Sequence, residues 1–329
     1  MKTGSRNILF GILLLACLIF PALDRNAYHV EIAVTCLIFA LLALGLNVIV
    51  GYVGLLNLGY AAFFAVGAYT YGLLNLHAHV SFWLALPIAM IACALVGILL
   101  AFPAIRLRGD YLAIVSLGFG EIVRITLNNL DKITGGPNGL LGIAHPQLSY
   151  PVTTQGRWNW RTYDFGVASA PYFYLVLVLA TALIFAMHKL HRSRIGRTWV
   201  AVREDEIAAA SVGVNVNRTK LLACGLGAAV AGVAGCLFAA KQGSISPDSF
   251  DFIVSIMIVS MVVLGGVGST AGAVLGAIVL TVMPELLRGF ATYRMLLFGL
   301  AMILITLFRP QGLLGEARHT SNNSGPSIL

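Results

Sequence analysis

The sequence predicts an all-α protein, a polytopic membrane helical bundle. It should have about ten transmembrane spans, some of them broken helices, and both termini cytoplasmic. Three observations predict it. Hydrophobic residues make up 59% of the 329 positions and charged residues 10%, with mean hydropathy +0.89; a soluble domain is about 45–50% apolar and about 25% charged. The apolar residues fall in long continuous runs, without the alternating ten-residue pattern of a membrane β-barrel. The 35 glycines suit helix packing in lipid, where small residues let backbones approach.

Taken in order, the apolar runs are Ile8–Leu23, Val30–Val50, Tyr60–Leu76, Phe82–Ala101, Tyr111–Asn128, Tyr172–Leu190, Leu221–Ala240, Phe252–Leu264, Ala271–Leu287 and Met295–Phe308. Several are shorter than the roughly 20 residues that cross a bilayer unaided, so some spans should be broken, tilted or buried in the bundle. The first run, with Lys2 and Arg6 before it and Leu14-Leu15-Ala16-Cys17 within it, imitates a lipoprotein signal peptide. It continues past Cys17 to Leu23, which favours a retained helix. With the N-terminus inside, most of the 21 Lys and Arg residues fall in cytoplasmic segments, as the positive-inside bias requires. The net charge of +8 is explained by that bias, and no nucleic acid need be invoked.

The expected organisation is one transmembrane domain over residues 1–315, with an external loop over 131–171 and a cytoplasmic loop over 191–220. Residues 316–329 form a polar tail that reads as disordered. The five cysteines lie in apolar runs at unrelated spacings and read as buried small hydrophobes. No GxxxxGK[ST], HExxH or GxSxG motif occurs, so the chain lacks the usual phosphate cradle and the common hydrolytic constellations. His77 and His79 are the only closely spaced histidines; no metal site is expected, and no cofactor.

Two features carry candidate chemistry within the membrane. Glu121 and Arg124 are ionisable residues inside a span, which are costly there and functional suspects by default. Three residues apart on one helix, they can also neutralise each other as a structural pair. The segment Gly51-Tyr52-Val53-Gly54-Leu55-Leu56-Asn57-Leu58-Gly59-Tyr60 is dense enough in glycine to interrupt a helix. Unwound backbone at membrane depth is tolerated where it lines a cavity or is covered by protein; a plain cytoplasmic turn is the alternative. Gly118 and Gly120 form a second small-residue site. Gly51, Gly54, Asn57, Gly59, Gly118, Gly120, Glu121 and Arg124 are therefore the candidate pathway residues. GYVG (Gly51–Gly54) also resembles GGVG (Gly265–Gly268), a hint of an internal repeat.

The third feature is the run Arg203-Glu204-Asp205-Glu206, four charges in succession in so apolar a chain. Trp199 to Ser211 reads as one helix of good helix formers, with Gly213 placed to end it. Ile207, Ala210, Ser211 and Val214 fall at helical spacing. An apolar ridge with charged shoulders fits a groove on another protein; a solvated surface helix is the bland alternative.

At this point the chain resembles the LivM-type permeases of branched-chain amino-acid ABC importers. The resemblance rests on RIGRTWVAVREDEIAAASVGVNVNRTKLLA, GYVGLLNLGYAAFFAVGAY, RLRGDYLAIVSLGFGEIVRITLNN followed by TGGPNG, MVVLGGVGSTAGAVLGA, and YRMLLFGLAMILITLFRPQGLL. These run in order from Gly51 to Leu314. The resemblance implies a transport subunit without its own ATPase site. Two cytoplasmic ATPases bind the ATP, a second related permease completes the pathway, and an outer binding protein delivers substrate. It also implies a coupling helix that rests on an ATPase, carried here by Arg203, Glu204, Asp205, Glu206, Ile207, Ala209 and Gly213. The importer pattern is E-A-A followed three residues later by G; here Glu206 stands one residue early. An importer of urea or amides, a stand-alone secondary transporter and a membrane enzyme are the competing readings.

Overall fold

A computed structural model describes residues 18–21, 26–104, 110–154, 157–166, 170–286, 299, 303 and 312–314. The expected first and last spans fall largely outside these residues, and the tail over 316–329 wholly so. Among the described residues, six helices are long and apolar enough to cross a bilayer. They cover Ala27–Tyr52, Phe82–Pro103, Tyr111–Asn129, Ala170–Arg192, Val216–Gln242 and Pro247–Gly265, with a shorter apolar helix over Thr270–Leu286. The protein is a mostly helical, multi-pass membrane protein.

Helix α1 (Ala27–Leu46) starts on Asn26, whose side chain accepts from the Tyr28 amide at 3.1 Å. It runs without interruption into a π-helical turn, Asn47–Tyr52. After the irregular residues 53–60 come α2 (Ala61–Ala78), α3 (Phe82–Ala104) and α4 (Asp110–Asn129). A short α5 (Asp131–Thr134) precedes the strands, and α6 (Ala170–Arg192) follows them. Then come α7 (Arg194–Glu204), α8 (Glu206–Ser211), α9 (Val216–Gln242), α10 (Phe252–Gly265) and α11 (Thr270–Leu286).

Helix α9 is the central post, packed against α1, α2 and α3. Its glycines explain how three neighbours fit around it. A Cβ on Gly67 of α2 would stand 2.6 Å from the Gly232 backbone, and one on Gly97 of α3 would stand 2.6 Å from Ala228 Cβ. These helices approach backbone to backbone, the packing that small residues permit where lipid supplies no hydrophobic drive between helices.

Two expectations are corrected. The all-α class omits two small antiparallel sheets: Leu140–Leu141 (β1) pairs with Ser244–Ile245 (β4), and Gln147–Thr154 (β2) pairs with Arg157–Asp164 (β3). The loop over 131–171, expected to be external, therefore contains a hairpin. Its Val, Thr, Tyr and Trp content favours extended backbone, and Trp83 Nε1 anchors its base by donating to the Gln147 carbonyl at 3.0 Å. The single helix expected over Trp199–Ser211 is two helices. Asp205 leaves helical geometry (φ −157°, ψ 113°) and its carboxylate accepts from the Ile207 and Ala208 amides at 2.8 and 3.0 Å. An aspartate that can cap a new helix competes with continuation of the old one.

Candidate functional site

Several amides of the irregular stretch after Tyr52 are bonded by the protein around it. The Leu58 amide donates to Ser116 Oγ at 3.0 Å and the Gly59 amide to the buried Asn57 side chain at 2.9 Å. The Ala61 amide donates to Ser255 Oγ at 3.0 Å. The Tyr60 hydroxyl donates to the Gly227 carbonyl of α9 at 2.8 Å. Three helices, α4, α9 and α10, thus hold one broken segment in place, with Asn57 bracing it from within.

Contact with α4 is the closest. A Cβ on Gly59 would overlap the Ser116 carbonyl, and one on Gly120 would stand 3.0 Å from Gly59 Cα. Gly118 differs: a Cβ there meets nothing within 4 Å, so it is no packing glycine. Gly59, Gly120 and Glu121 border one cleft of about 220 Å³, closed on its other side by Phe250, Phe252 and Ser255.

Glu121 and Arg124 form the expected pair, with Nη2 to Oε1 at 2.5 Å and Nε to the same carboxylate at 3.0 and 3.2 Å. They are not alone. Arg124 Nη1 also reaches Asp248 at 3.4 Å, in the turn Pro247–Phe250. The sequence could not join Asp248 to a pair 124 residues away. Nor did it find Lys241, which is buried in the last turn of α9. Its ammonium donates to Thr35 Oγ1 at 2.6 Å and to the Glu31 carbonyl at 3.2 Å, with the Glu31 carboxylate at 3.6 Å.

Gly51 and Gly54 belong to a different place. They lie against Arg203, whose guanidinium donates to the Gly51 carbonyl and whose stem packs on Gly54, where φ is +80°. The GGVG loop meets them there: the Gly268 amide donates to Asn47 Oδ1 at 2.9 Å, and Tyr52 and Thr270 share a hydrogen bond of 2.7 Å. The Tyr52 ring stacks on His191 at 4.3 Å and lies nearly parallel to Trp199 at 6.2 Å. Trp199 is fully buried and donates to the Thr219 carbonyl at 3.1 Å.

The charged run is therefore largely used within the chain. Arg203 grips Gly51, Asp205 caps α8, and Glu206 pairs with Lys220 at 2.6 Å. Glu204 alone of the four has no hydrogen-bond or ion-pair partner among the described residues. Of α8, Ala209 faces inward. Ile207 and Val212 stand 75% and 79% exposed, and Ala210 and Ser211 are exposed beside them. The expected ridge is corrected in this respect: Val214 is half-buried and does not extend it. Gly213, at φ +87°, ends the turn as expected.

The model of the family described as "Branched-chain amino acid transport system / permease component" matches residues 28–306. The high-affinity branched-chain amino acid transport system permease protein LivM of Salmonella typhimurium is 49% identical over 327 residues, covering 96% of this chain and 77% of that protein. LivM of Escherichia coli gives the same identity and coverage. The permease protein LivH of Salmonella typhimurium is 26% identical over 295 residues, covering 84% of this chain and 91% of that protein. No solved structure matches the chain. With the family model spanning most of its helices and a relative half identical along nearly its whole length, the chain belongs to the branched-chain amino acid transport permease family.

Proposed function

We propose that the chain is the permease subunit of an ATP-binding-cassette importer for branched-chain amino acids, and that it forms half of the pathway. The second half comes from a related permease of LivH type, ATP is bound by two separate cytoplasmic ATPases, and an outer binding protein presents the substrate. The chain binds no cofactor of its own. Residues 1–315 form the transmembrane domain of ten spans in the cytoplasmic membrane, termini inside, with 191–220 as the cytoplasmic coupling loop, 131–171 outside and 316–329 as a cytoplasmic tail.

One observation carries the coupling assignment: a short helix with Ile207 and Val212 exposed at its tip stands on a base where Arg203 and Trp199 meet the broken segment. A helix of this kind fits a groove on a partner, and its base reaches Gly51 and Tyr52 directly. Coupling is assigned to Arg203, Glu204, Asp205, Glu206, Ile207, Ala209 and Gly213. The pathway is assigned to Gly59, Gly120, Glu121 and Arg124, with Asn57 supporting the broken segment and Gly51 and Gly54 linking it to the loop.

The test is uptake of labelled leucine into proteoliposomes holding the complex, with ATP supplied on the ATPase side. ATP-dependent uptake is expected. Uptake by this chain without any ATPase, driven by an ion gradient, would overturn the reading in favour of a secondary transporter.

A further inference from the structure

The second half of α6 presents one exposed stripe. Val178, Ala182, Phe185 and Ala186 face outward at helical spacing, Val178 and Phe185 being 67% and 56% exposed. Such a stripe on a spanning helix suits hydrocarbon. It continues through Lys189 and Arg192, both exposed, at steps of four and three residues from Phe185. The same face therefore turns from apolar to basic within the last turns of the helix. The Lys189 ammonium lies over the Phe185 ring at 4.6 Å. It is drawn back toward the membrane boundary, because helical side chains lean toward the preceding turn.

Helix α7 adds two more cations at the same place. Ser193 joins the helices tightly: its Oγ accepts from the Gly196 amide at 3.4 Å, and a Cβ on Gly196 would overlap the His191 carbonyl. No linker carries α7 away from the end of α6. Gly196, Trp199 and Val202 turn inward, while Arg194, Ile195 and Arg197 are exposed. Lys189, Arg192, Arg194 and Arg197 thus place four cations within nine residues, and no Asp or Glu occurs between Asp164 and Glu204. None of the four has an ion-pair partner among the described residues.

Basic residues near a span also set its orientation, but orientation needs only their number. Here two of them continue the apolar stripe itself, and an exposed Ile195 stands among the others. A soluble protein meets the loop from water and does not reach Lys189 on Phe185. The phosphate of a phospholipid lies at that depth, with hydrocarbon on one side and water on the other. Basic clusters at the end of a span attract anionic lipid, each cation by about five-fold. We propose that the end of α6 and the first turn of α7 bind the phosphate headgroups of anionic phospholipids. Lys189 and Arg192 hold them from the lipid-facing stripe and Arg194 and Arg197 from the turn that follows, with Phe185 and Ile195 against the acyl chains. The lipid seats α7 from outside, as Trp199 and Val202 seat it from within. This goes beyond the permease reading, because it concerns the membrane around the chain and holds whatever solute is carried.

The experiment takes the full chain with its co-purifying subunits and equilibrates it in mixed micelles holding phosphatidylglycerol and phosphatidylcholine in equal parts. Native mass spectrometry counts the retained lipids of each kind. The wild type is expected to retain phosphatidylglycerol in preference. Changing Lys189→Gln, Arg192→Gln, Arg194→Gln and Arg197→Gln together is expected to lower that preference by about ten-fold. Equal retention of both lipids by the wild type, or an unchanged preference in the variant, overturns the proposal. A variant that keeps the preference but loses a co-purifying subunit overturns it too, and gives the patch to a protein partner. Because basic residues also direct insertion, the wild type supplies a second measurement for the case where the variant is not inserted. Sodium chloride should weaken its preference, and inorganic phosphate should do so no more than chloride of equal ionic strength. A preference insensitive to salt overturns the proposal, and stronger displacement by phosphate overturns the lipid in favour of a free anion. No uptake is measured, so the outcome is separate from that of the permease reading.

Discussion

The guanidinium of Arg203 donates to the carbonyl of Gly51, joining residues 152 positions apart in the chain. One belongs to the charged loop and the other to the π turn that opens the broken segment. The loop is therefore tied directly to the backbone that opens the broken segment. The contact is reinforced by Tyr52 stacked on His191 and by Gly268 bonded to Asn47.

Arg203→Ala should lower leucine uptake per ATP hydrolysed by about ten-fold, since a hydrogen bond to a charged group is worth about 1.5–3 kcal/mol. Arg203→Lys keeps the charge and a donor and should recover part of it. Parallel measurement of ATP hydrolysis and uptake checks this; equal losses in both would show that Arg203 serves assembly instead.

Gly59→Ala and Gly118→Ala should differ sharply. The first forces α4 off the broken segment and should cost about 1–3 kcal/mol, as overpacking does. The second meets open space inside a helix and should be neutral or stabilising by up to about 1 kcal/mol. Thermal melting followed by size-exclusion chromatography separates them.

Ile207→Asp with Val212→Asp should leave the melting of the isolated chain unchanged, because both side chains are largely exposed. The same double variant should lose co-purifying ATPase. Full retention of the ATPase would remove α8 from the docking surface.

Glu204→Lys and Glu206→Lys should also part company. Glu204 faces solvent without a partner among the described residues, so its reversal should leave stability within about 0.5 kcal/mol. Glu206→Lys sets a second ammonium against the buried Lys220 and should destabilise by about 1–3 kcal/mol, the cost of leaving a buried polar group unsatisfied. Urea titration of each variant reads the difference, and Lys220→Met should relieve most of it.

Much of this was legible in the sequence because it is local. Long apolar runs state the spans, the glycines between Gly51 and Gly59 state a break, and Glu121 three residues before Arg124 states a pair. What escaped is what distant segments do to one another. Asp248 joins the Glu121–Arg124 pair only because α10 returns to α4, and Lys241 is buried because Glu31 and Thr35 of α1 meet it. The break at Asp205 was hidden differently. Aspartate in a run of helix formers reads as one more solvated charge, although its carboxylate can start a helix as readily as decorate one. The hairpin over Gln147–Asp164 depends on the pairing of two segments across a turn, a register that no motif in the loop states.

The π turn Asn47–Tyr52 acts as a mechanical shim. Each residue of an α-helix advances the next by about 100° around the axis, and a π turn takes up one residue more than its α counterpart. The turn absorbs that residue locally, and it is from within it that the Gly51 carbonyl meets Arg203 and the Tyr52 ring meets His191. Deleting one residue would close the turn to ordinary α-helical width and draw those two groups back from the charged loop. One surplus residue thus presents both of them.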